Sequence, residues 1–207
     1  MGGQQMFTGI VTDIGRVTAI ERGGDTRFEI ATGFDLEPIA IGASIAHSGV
    51  CLTVTDKGQD RFWVAVSAET LDKTTLGDWQ VGTLVNLETS LKLGDEFGGH
   101  LVYGHVDGVA EILDIRPEGD SLRFTFRCPS GFARTLAPKG SVALDGVSLT
   151  VNEVRDGADN TAEFGVNIIK HTQQCTTFQT LKPGHRVNFE ADMLARYVAR
   201  MLQPTHD

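Results

Sequence analysis

The chain of 207 residues is 41% hydrophobic and 22% charged, and its 27 acidic and 18 basic side chains give a formal net charge of -9. This composition is typical of a globular protein with one large domain or two domains of about 100 residues, and it excludes a disordered, collagen-like or coiled-coil chain. No apolar run approaches the ~20 residues that span a bilayer, and the acidic balance disfavours nucleic acid or a membrane surface as the partner. A small molecule or a protein partner fits better.

The chain begins with a polar segment, Met1 to Gln5, that lacks the charged and apolar regions of a signal peptide and resembles part of an expression tag. Its three cysteines, Cys51, Cys128 and Cys175, are too few and too scattered for a disulfide framework, and none has the CxxC spacing of a zinc site. We therefore expect free thiols in a reducing compartment and a cytoplasmic location.

Short strands separated by turns predominate through most of the chain. Apolar or alternating segments at 62–66 and 122–126 predict strands, and clusters of Gly, Asp and Pro at 23–25 and 116–120 predict turns. The polar, Gly-rich residues 92–99 predict a connector. A helical apolar periodicity is present only near the end of the chain, at Met193, Leu194, Tyr197, Val198, Met201 and Leu202. The terminal helix either folds onto its own barrel or mediates self-association, and the pattern alone favours neither.

The sequence contains an internal repeat. Residues 44–54 read SIAHSGVCLTV and residues 141–151 read SVALDGVSLTV, with seven identities in register. Because the repeat spans about 97 residues, from Gly49 to Gly146, it matches a small domain and not the 20 to 50 residues of a solenoid. Many short strands with frequent turns in each half predict an all-β protein of tandem, duplicated small closed β-barrels with a short C-terminal α-helix.

The repeat continues on both sides of this segment and sets the expected domain limits. Residues 9–11 (GIV) correspond to residues 104–106 (GHV), and the separation between equivalent positions grows slightly along the chain through loop insertions. We expect an N-terminal barrel at 6–97, a C-terminal barrel at 98–190, and a terminal helix and tail at 191–207.

The repeated segment also carries candidate chemistry. Alternation along a strand places Cys51 and Thr53 on one face, and Ser148 and Thr150 on the equivalent face of the second half. Such hydroxyl and thiol groups can hydrogen-bond a planar polar ligand. The alternative is that small polar residues next to a turn bond nearby backbone groups. Occurrence in both halves favours a pair of ligand sites.

A second candidate is the cluster of glycine and histidine at 98–100 and 104–105. Glycine allows the backbone to approach a ligand closely, and histidine can transfer a proton near neutral pH. His105 occupies the place of Ile10 in the first half, so the halves differ where a reactive group could act. The alternative is an ordinary surface histidine. A metal site is disfavoured because no third ligand has suitable spacing, and the sequence contains no dinucleotide fingerprint, P-loop or nucleophile elbow.

Five segments together carry a resemblance to a known family: MFTGIVTDIGRV from residue 6, GASIAHSGVCLTV from 42, SAETL from 67, GGHLVYGHVDGV from 98 and KGSVALDGVSLTV from 139. In this order they resemble the riboflavin synthase family, of the alpha-chain type with two lumazine-binding repeats, from residue 6 to the C-terminus. The resemblance implies dismutation of two 6,7-dimethyl-8-ribityllumazine molecules: a four-carbon unit passes from one to the other, giving riboflavin and 5-amino-6-ribitylamino-pyrimidinedione.

The resemblance also implies how the protein is assembled and what it requires. Members of the family need no external cofactor or metal. They are homotrimers in which the first barrel of one subunit faces the second barrel of its neighbour, and the C-terminal helices bundle together. The apolar stripe of the terminal helix suits that role.

The resemblance implies site residues on both barrels. Residues expected to bind substrate at the first barrel are Gly9, Ile10, Val11, Cys51, Leu52, Thr53, Ala65, Val66, Ser67, Ala68, Glu69 and Thr70. Those expected at the second barrel are Gly104, His105, Val106, Lys139, Ser148, Leu149, Thr150, Asn167, Ile168, Ile169, Lys170, His171 and Thr172.

For catalysis, His105 is the candidate for proton transfer, and Cys51, Ser148 and Thr150 are candidates for positioning or activation. Phe7, Ser44 and Asp192 fall at positions that the family uses around the reaction centre. The sequence departs from the family pattern once: His171 replaces the carboxylate of a Pro-Glu-Thr ending, which the first repeat keeps as Glu69.

Two other functions remain open at this point. Lumazine-binding fluorescent proteins share the duplicated fold but hold their chromophore without converting it, whereas the presence of the four candidate reactive residues favours an enzyme. A barrel scaffold for protein partners would leave the reactive residues of both repeats unexplained.

Overall fold

Each half of the chain forms a six-stranded antiparallel barrel in a computed structural model that describes residues 5–158 and 160–202. The strands of the first barrel are β1 (Asp13–Glu21), β2 (Thr26–Ala31), β3 (Ser44–His47), β4 (Val50–Lys57), β5 (Arg61–Val66) and β6 (Leu84–Thr89). They are ordered β1-β2-β5-β4-β3-β6, and pairing of β6 with β1 closes the barrel.

The second barrel repeats this order. Its strands are β7 (Gly108–Glu118), β8 (Ser121–Arg127), β9 (Ser141–Leu144), β10 (Val147–Asp156), β11 (Ala162–Ile168) and β12 (Arg186–Ala191). Read around the barrel they are ordered β10-β11-β8-β7-β12-β9, which is the first barrel's order strand for strand. The prediction of tandem closed barrels is confirmed. The exact domain limits stay a prediction, and residues 1–4 and 203–207 of the expected tag and tail lie outside the described residues.

Three short α-helices accompany the barrels. Helices α1 (Ala68–Lys73) and α2 (Lys170–Cys175) connect the fifth and sixth strands of each barrel, and α3 (Met193–Met201) follows the last strand. The periodicity predicted α3 but neither of the other two, because six residues are fewer than two helical turns and carry no readable apolar stripe. Among the helices of the described residues, none is long and apolar enough to span a membrane.

The barrels meet around the two β-turns of the repeated segment. At each of Gly49 and Gly146, an added Cβ would lie 2.7 Å from the backbone nitrogen of the other, and both residues have φ near +80° (+82° and +77°). Glycine is therefore required twice over, by the left-handed backbone and by the close approach of one barrel to the other.

Two asparagines bond the barrels to each other reciprocally. Asn86 of β6 donates from Nδ2 to the carbonyl of Asp145 (2.9 Å) and accepts from the N–H of Thr177 (2.8 Å). In the same way, Asn188 of β12 donates to the carbonyl of Ser48 (2.8 Å) and accepts from the N–H of Thr75 (2.8 Å). Both asparagine side chains are buried, and each amide satisfies two backbone groups of the opposite barrel.

The interiors of the barrels are largely apolar. In the second barrel, Phe124, Phe126 and Phe164 stack in succession, and Phe189 contacts Phe164 edge-on. In the first barrel, His47 of β3 is fully buried beside Phe62, where the second barrel has Leu144. Its Nδ1 lies 2.9 Å from the carbonyl of Ile45, and its Nε2 has no hydrogen-bond partner among the described residues.

His47 makes the stability of the protein depend on pH. Burial lowers the pKa of His47 from 6.5 to about 4, so the unfolded chain binds a proton more readily than the folded chain between these values. The free energy of unfolding therefore falls as the pH drops through this window, by about 3 kcal/mol once pH 4 is reached. We expect His47→Leu to remove this loss. Urea unfolding at several pH values between 7 and 4 measures it, with the exposed His185→Gln as control; equal pH dependence in all three proteins would contradict the prediction.

Candidate active site

Two glycine loops cross from one barrel to the other. The carbonyl of Gly9 accepts from the N–H of Ser148 on β10 (2.8 Å), and the carbonyl of Gly104 accepts from the N–H of Cys51 on β4 (3.0 Å). Just before these glycines, the backbones of Phe7 and Val102 form an antiparallel bridge. The first loop thus lies on the second barrel, and the second loop lies on the first.

This crossing corrects the expected grouping of site residues. We assigned residues 9–11 to the first barrel and 104–106 to the second, whereas Val11 packs against the core of the second barrel and Val106 against the core of the first. The physical reason is that the bridged segments run between the barrels and the positive φ of each glycine turns the chain across. Alignment of the repeats cannot reveal this exchange, because both arrangements have the same local sequence.

The first pocket is a cavity of about 280 Å³ on the first barrel. It is lined by Val50, Cys51, Glu69, Thr70, Lys73, Thr74, Gly104, His105 and Val106. The half-buried Cys51 has a raised pKa because burial disfavours the thiolate, although a hydrogen bond with Ser44 lowers it in part. The thiol is therefore protonated at neutral pH and suited to donating a hydrogen bond.

We call the equivalent surface of the second barrel, around Ser148, Thr172 and residues 9–11, the second pocket because it corresponds in the repeat to the first; the carbonyl of Gly9 bonds Ser148 there. Here Nδ1 of His100 lies 2.7 Å from Oγ of Ser148. His100 is only 8% exposed, and burial lowers its pKa while the charge of Asp192 raises it in part. A largely neutral imidazole bonded to a serine hydroxyl can accept the proton of that hydroxyl.

His100 lies in the predicted cluster of glycine and histidine but was not among the predicted catalytic residues. The sequence feature that marks this contact is the preceding Gly99. A Cβ at this position would lie 2.9 Å from Cβ of Ser148 and would also clash with the carbonyl of Thr8. Only glycine lets this backbone approach so closely. The partner Ser148 is 48 residues away, so the pair exists only in the folded chain.

Other predicted residues of the strands divide by the face on which they lie. Thr53 and Thr150 are exposed on the outer faces of β4 and β10, beside Cys51 and Ser148 as the alternation predicts. Four predicted substrate-binding residues point into the barrel cores, so only their backbone groups are available to a ligand: Leu52, Val66, Leu149 and Ile168.

The two predicted segments that lead into α1 and α2 differ at the residue that precedes the helix. Ser67 caps α1, with Oγ accepting from the N–H of Thr70 (3.2 Å), whereas Ile169 precedes α2 without a side-chain cap. Of the remaining predicted residues in these two segments and nearby, Ala65 and Asn167 are half-buried, and Ala68, Lys139 and Lys170 are exposed.

Phe7, Ser44 and Asp192 have different surroundings. Phe7 is fully buried between the barrels in a cluster with Val102, and Cys51 packs against this cluster. The expected place of Phe7 at the reaction centre stays a prediction. Ser44 hydrogen-bonds Cys51, and Asp192 caps α3 by accepting from the N–H of Leu194 (2.8 Å) while facing His100.

The two pockets differ in charged groups. Glu69 and Lys73 line the first pocket, and their counterparts on α2 are His171 and Cys175, with Nδ1 and Sγ 3.8 Å apart. His105 of the first pocket corresponds to Ile10 of the second. Duplication therefore produced two related surfaces with different chemistry.

Comparison with known proteins identifies the family. The family model described as the Lumazine binding domain matches twice, over residues 8–90 and 103–192. The riboflavin synthase of Brucella abortus is 52% identical over 204 residues, covering 96% of this chain and 98% of that protein. The riboflavin synthase of Photobacterium phosphoreum is 42% identical, covering 95% of this chain and 89% of that protein.

Solved structures of similar fold include LumP complexed with 6,7-dimethyl-8-(1'-D-ribityl) lumazine (TM-score 0.79, 28% identity) and LumP complexed with riboflavin (TM-score 0.80, 27% identity). Each alignment covers 90% of this chain and 99% of the other. The near-complete matches to synthases, together with the doubled Lumazine binding domain, establish that the chain belongs to the riboflavin synthase family of enzymes.

Proposed function

We propose that the protein is a cytoplasmic riboflavin synthase that converts two molecules of 6,7-dimethyl-8-ribityllumazine into riboflavin and 5-amino-6-ribitylamino-pyrimidinedione by four-carbon transfer. The observation that carries this proposal is a pair of related sites: Cys51 and His105 line a cavity on the first barrel, and His100 bonds Ser148 at the equivalent place on the second. A reaction between two identical molecules needs two sites for the same ligand, and a duplicated barrel supplies them. The free thiols of the three cysteines are compatible with a reducing compartment.

The reacting pair would lie between the first barrel of one subunit and the second barrel of its neighbour in a homotrimer. The first pocket, at about 280 Å³, is at the low end of the roughly 300–1,000 Å³ of typical ligand pockets, so a facing subunit would complete it. Holding two lumazines face to face makes a bimolecular step effectively unimolecular, which is the main catalytic effect that we propose.

The chain's own residues would serve the proton transfers. The reaction removes a proton from the 7-methyl group of one lumazine and requires a nucleophile at position 7 of the other. We assign proton transfer to His105 in the first pocket, where the thiol of Cys51 donates a hydrogen bond. In the second pocket, neutral His100 would accept the hydroxyl proton of Ser148. Thr53 and Thr150 would bind polar groups beside them.

The alternative is a lumazine-binding or flavin-binding protein of the same fold without catalysis. The observation in its favour is that the similar solved structures are LumP complexes. The higher identity to synthases over nearly the full chain supports the enzyme.

The first test is the reaction itself. We expect protein that starts at Met6, mixed with 6,7-dimethyl-8-ribityllumazine and no cofactor, to form one riboflavin for every two lumazines consumed, because one molecule donates its four carbons to the other. Absorbance and fluorescence of riboflavin follow the reaction. Tight binding of the lumazine without turnover would contradict the enzyme and support the carrier protein.

The second test concerns the His100–Ser148 pair. We expect His100→Gln to lower kcat by about tenfold with little change in KM, because the serine loses its proton acceptor but the pocket keeps its shape. This is below the typical 10²–10⁴-fold effect of a general base, since the amide oxygen of glutamine can still accept a hydrogen bond from the serine hydroxyl and orient it. Steady-state kinetics measure it, with His185→Gln as the matched exposed control. A kcat equal to that of the control would rule out the role.

The third test concerns α3. Its apolar side chains Leu194, Tyr197, Val198, Met201 and Leu202 are all exposed in the single chain, which fits a helix that bundles with those of other subunits. We expect Val198→Glu to yield monomers that bind lumazine but form no riboflavin, whereas Val198→Ala remains a trimer. Sedimentation velocity measures the mass. A fully active monomer would contradict the site between subunits.

A further inference from the structure

Each barrel carries one buried carboxyl group beneath a crossing loop. Glu88 of β6 and Glu190 of β12 occupy equivalent positions in the repeat and are 7% and 4% exposed. The mechanism proposed above uses neither of them. A buried carboxyl group is costly unless hydrogen bonds satisfy it, so the partners of each one are informative.

Glu88 is fully engaged by the first crossing loop. Its Oε1 accepts from the N–H and the hydroxyl of Thr8 (2.7 and 2.9 Å), and its Oε2 accepts from the N–H of Gly9 (3.0 Å). Three donors on two oxygens anchor the loop that lies against Ser148.

Glu190 is only half engaged by the second crossing loop. Its Oε1 accepts from the N–H of Tyr103 (2.8 Å), and Tyr103 stands where the first loop has Thr8, so no side-chain hydroxyl reaches the carboxyl. Among the described residues, Oε2 of Glu190 is buried without a hydrogen-bond partner. Its loop continues into Gly104, which bonds Cys51, and His105.

Charged and titratable groups face Glu190 from three elements. Arg196 of α3 and Asp107 of the segment before β7 act on Glu190 with opposite signs, and they bond each other at 2.7 Å. The loop that bonds Glu190 through the N–H of Tyr103 also bonds Cys51 of β4 through the carbonyl of Gly104 (3.0 Å), so one short loop joins the carboxyl group to the strand of the thiol. Across this connection, the charge of Glu190 raises the pKa of Cys51. His105, on the same loop as Asp107, acts on that aspartate. The carboxyl group thus connects the terminal helix to the first pocket.

We propose that Glu190 is a positioning residue of the first pocket, which holds the loop that carries His105 and controls by its own charge the ionisation of the Cys51 thiol, whereas Glu88 only anchors its loop. In assigning this role to an active-site pocket, the inference rests on the function proposed above.

The direction of the effect follows from the charges. The pKa of Glu190 is raised to about 7, chiefly by burial and also by the negative charge of Asp107. The backbone N–H of Tyr103 and the positive charge of Arg196 lower it in part. Glu190 therefore changes charge near neutral pH. When ionised, it opposes a second negative charge nearby and raises the pKa of Cys51. Removing the charge of Glu190 must therefore make the thiolate easier to form.

Alkylation of Cys51 by iodoacetamide tests this without reference to riboflavin. The background is Cys175→Ser, because Cys175 is exposed; Cys128 is buried with a pKa raised to about 12 and stays unreactive. We expect Glu190→Gln to be alkylated about threefold faster than the parent at pH 8.5, since glutamine keeps an acceptor for Tyr103 but carries no charge. Glu88→Gln is the matched control and should react like the parent. Equal rates in all three proteins would overturn the inference.

A second variant covers the case in which Glu190→Gln does not fold. In the parent, the alkylation rate of Cys51 plotted against pH should change slope near pH 7, where Glu190 ionises; we call this change the break. Removing the positive charge in Arg196→Gln raises the pKa of Glu190, so the break should move to higher pH. An unmoved break, or a parent profile with no break, would overturn the inference.

The pH profile of kcat/KM provides the functional readout. We expect kcat/KM to change with an apparent pKa near 7 in the parent and in Glu88→Gln, and we expect this change to be absent in Glu190→Gln. If alkylation responds to Glu190 but no protein forms riboflavin, the proposed function fails while control of the thiol stands. If riboflavin forms but alkylation ignores Glu190, the inference fails and the proposed function stands.

Discussion

The reciprocal bonding of Asn86 and Asn188 is the constraint on which the rest of the structure depends. Each amide belongs to one barrel and satisfies a carbonyl and an N–H of the other; three of these four bonds are buried and the fourth, from the N–H of Thr75, is part-buried. A buried backbone group left unpaired costs ~1–3 kcal/mol, so the barrels cannot rotate or separate without losing several such bonds together. Contact between Gly49 and Gly146 then sets how closely they approach.

This fixed arrangement gives the crossing loops their function. Because the barrels are held in one orientation, the bridge between Phe7 and Val102 can place each glycine loop against the reactive strand of the opposite barrel. Each pocket is therefore composite, with a strand from one half and a loop from the other. A single isolated barrel would contain only part of either pocket, which explains physically why the duplicated halves remain in one chain.

The two halves share this backbone arrangement, and differences between their side chains give the two pockets different chemistry. The strands keep a small polar group at one position, Cys51 or Ser148, and the loops differ, with His105 on one and Ile10 on the other. In the second pocket the histidine comes from a different position, because His100 bonds Ser148 where Gly99 allows the backbone to approach. The buried carboxyl groups also differ, since Oε1 of Glu88 accepts from the N–H and the hydroxyl of Thr8, whereas Oε1 of Glu190 accepts only from the N–H of Tyr103. In each case a difference at one position between the two halves changes which charged or proton-transferring groups are present, while the backbone of the two halves stays equivalent.

The sequence by itself determined the duplicated barrels, the terminal helix and most of the residues around the pockets, because alternation, turn residues and the repeat are local patterns that any copy of the fold must carry. The outward face of Cys51 and Thr53 followed from strand alternation alone. Only the tertiary structure decided which loop serves which barrel, that Phe7 is packed between the barrels, and that His100 bonds Ser148. These features depend on contacts between residues about 50 to 140 positions apart. Such contacts are set by the relative orientation of the two barrels, which leaves no periodic trace in the chain.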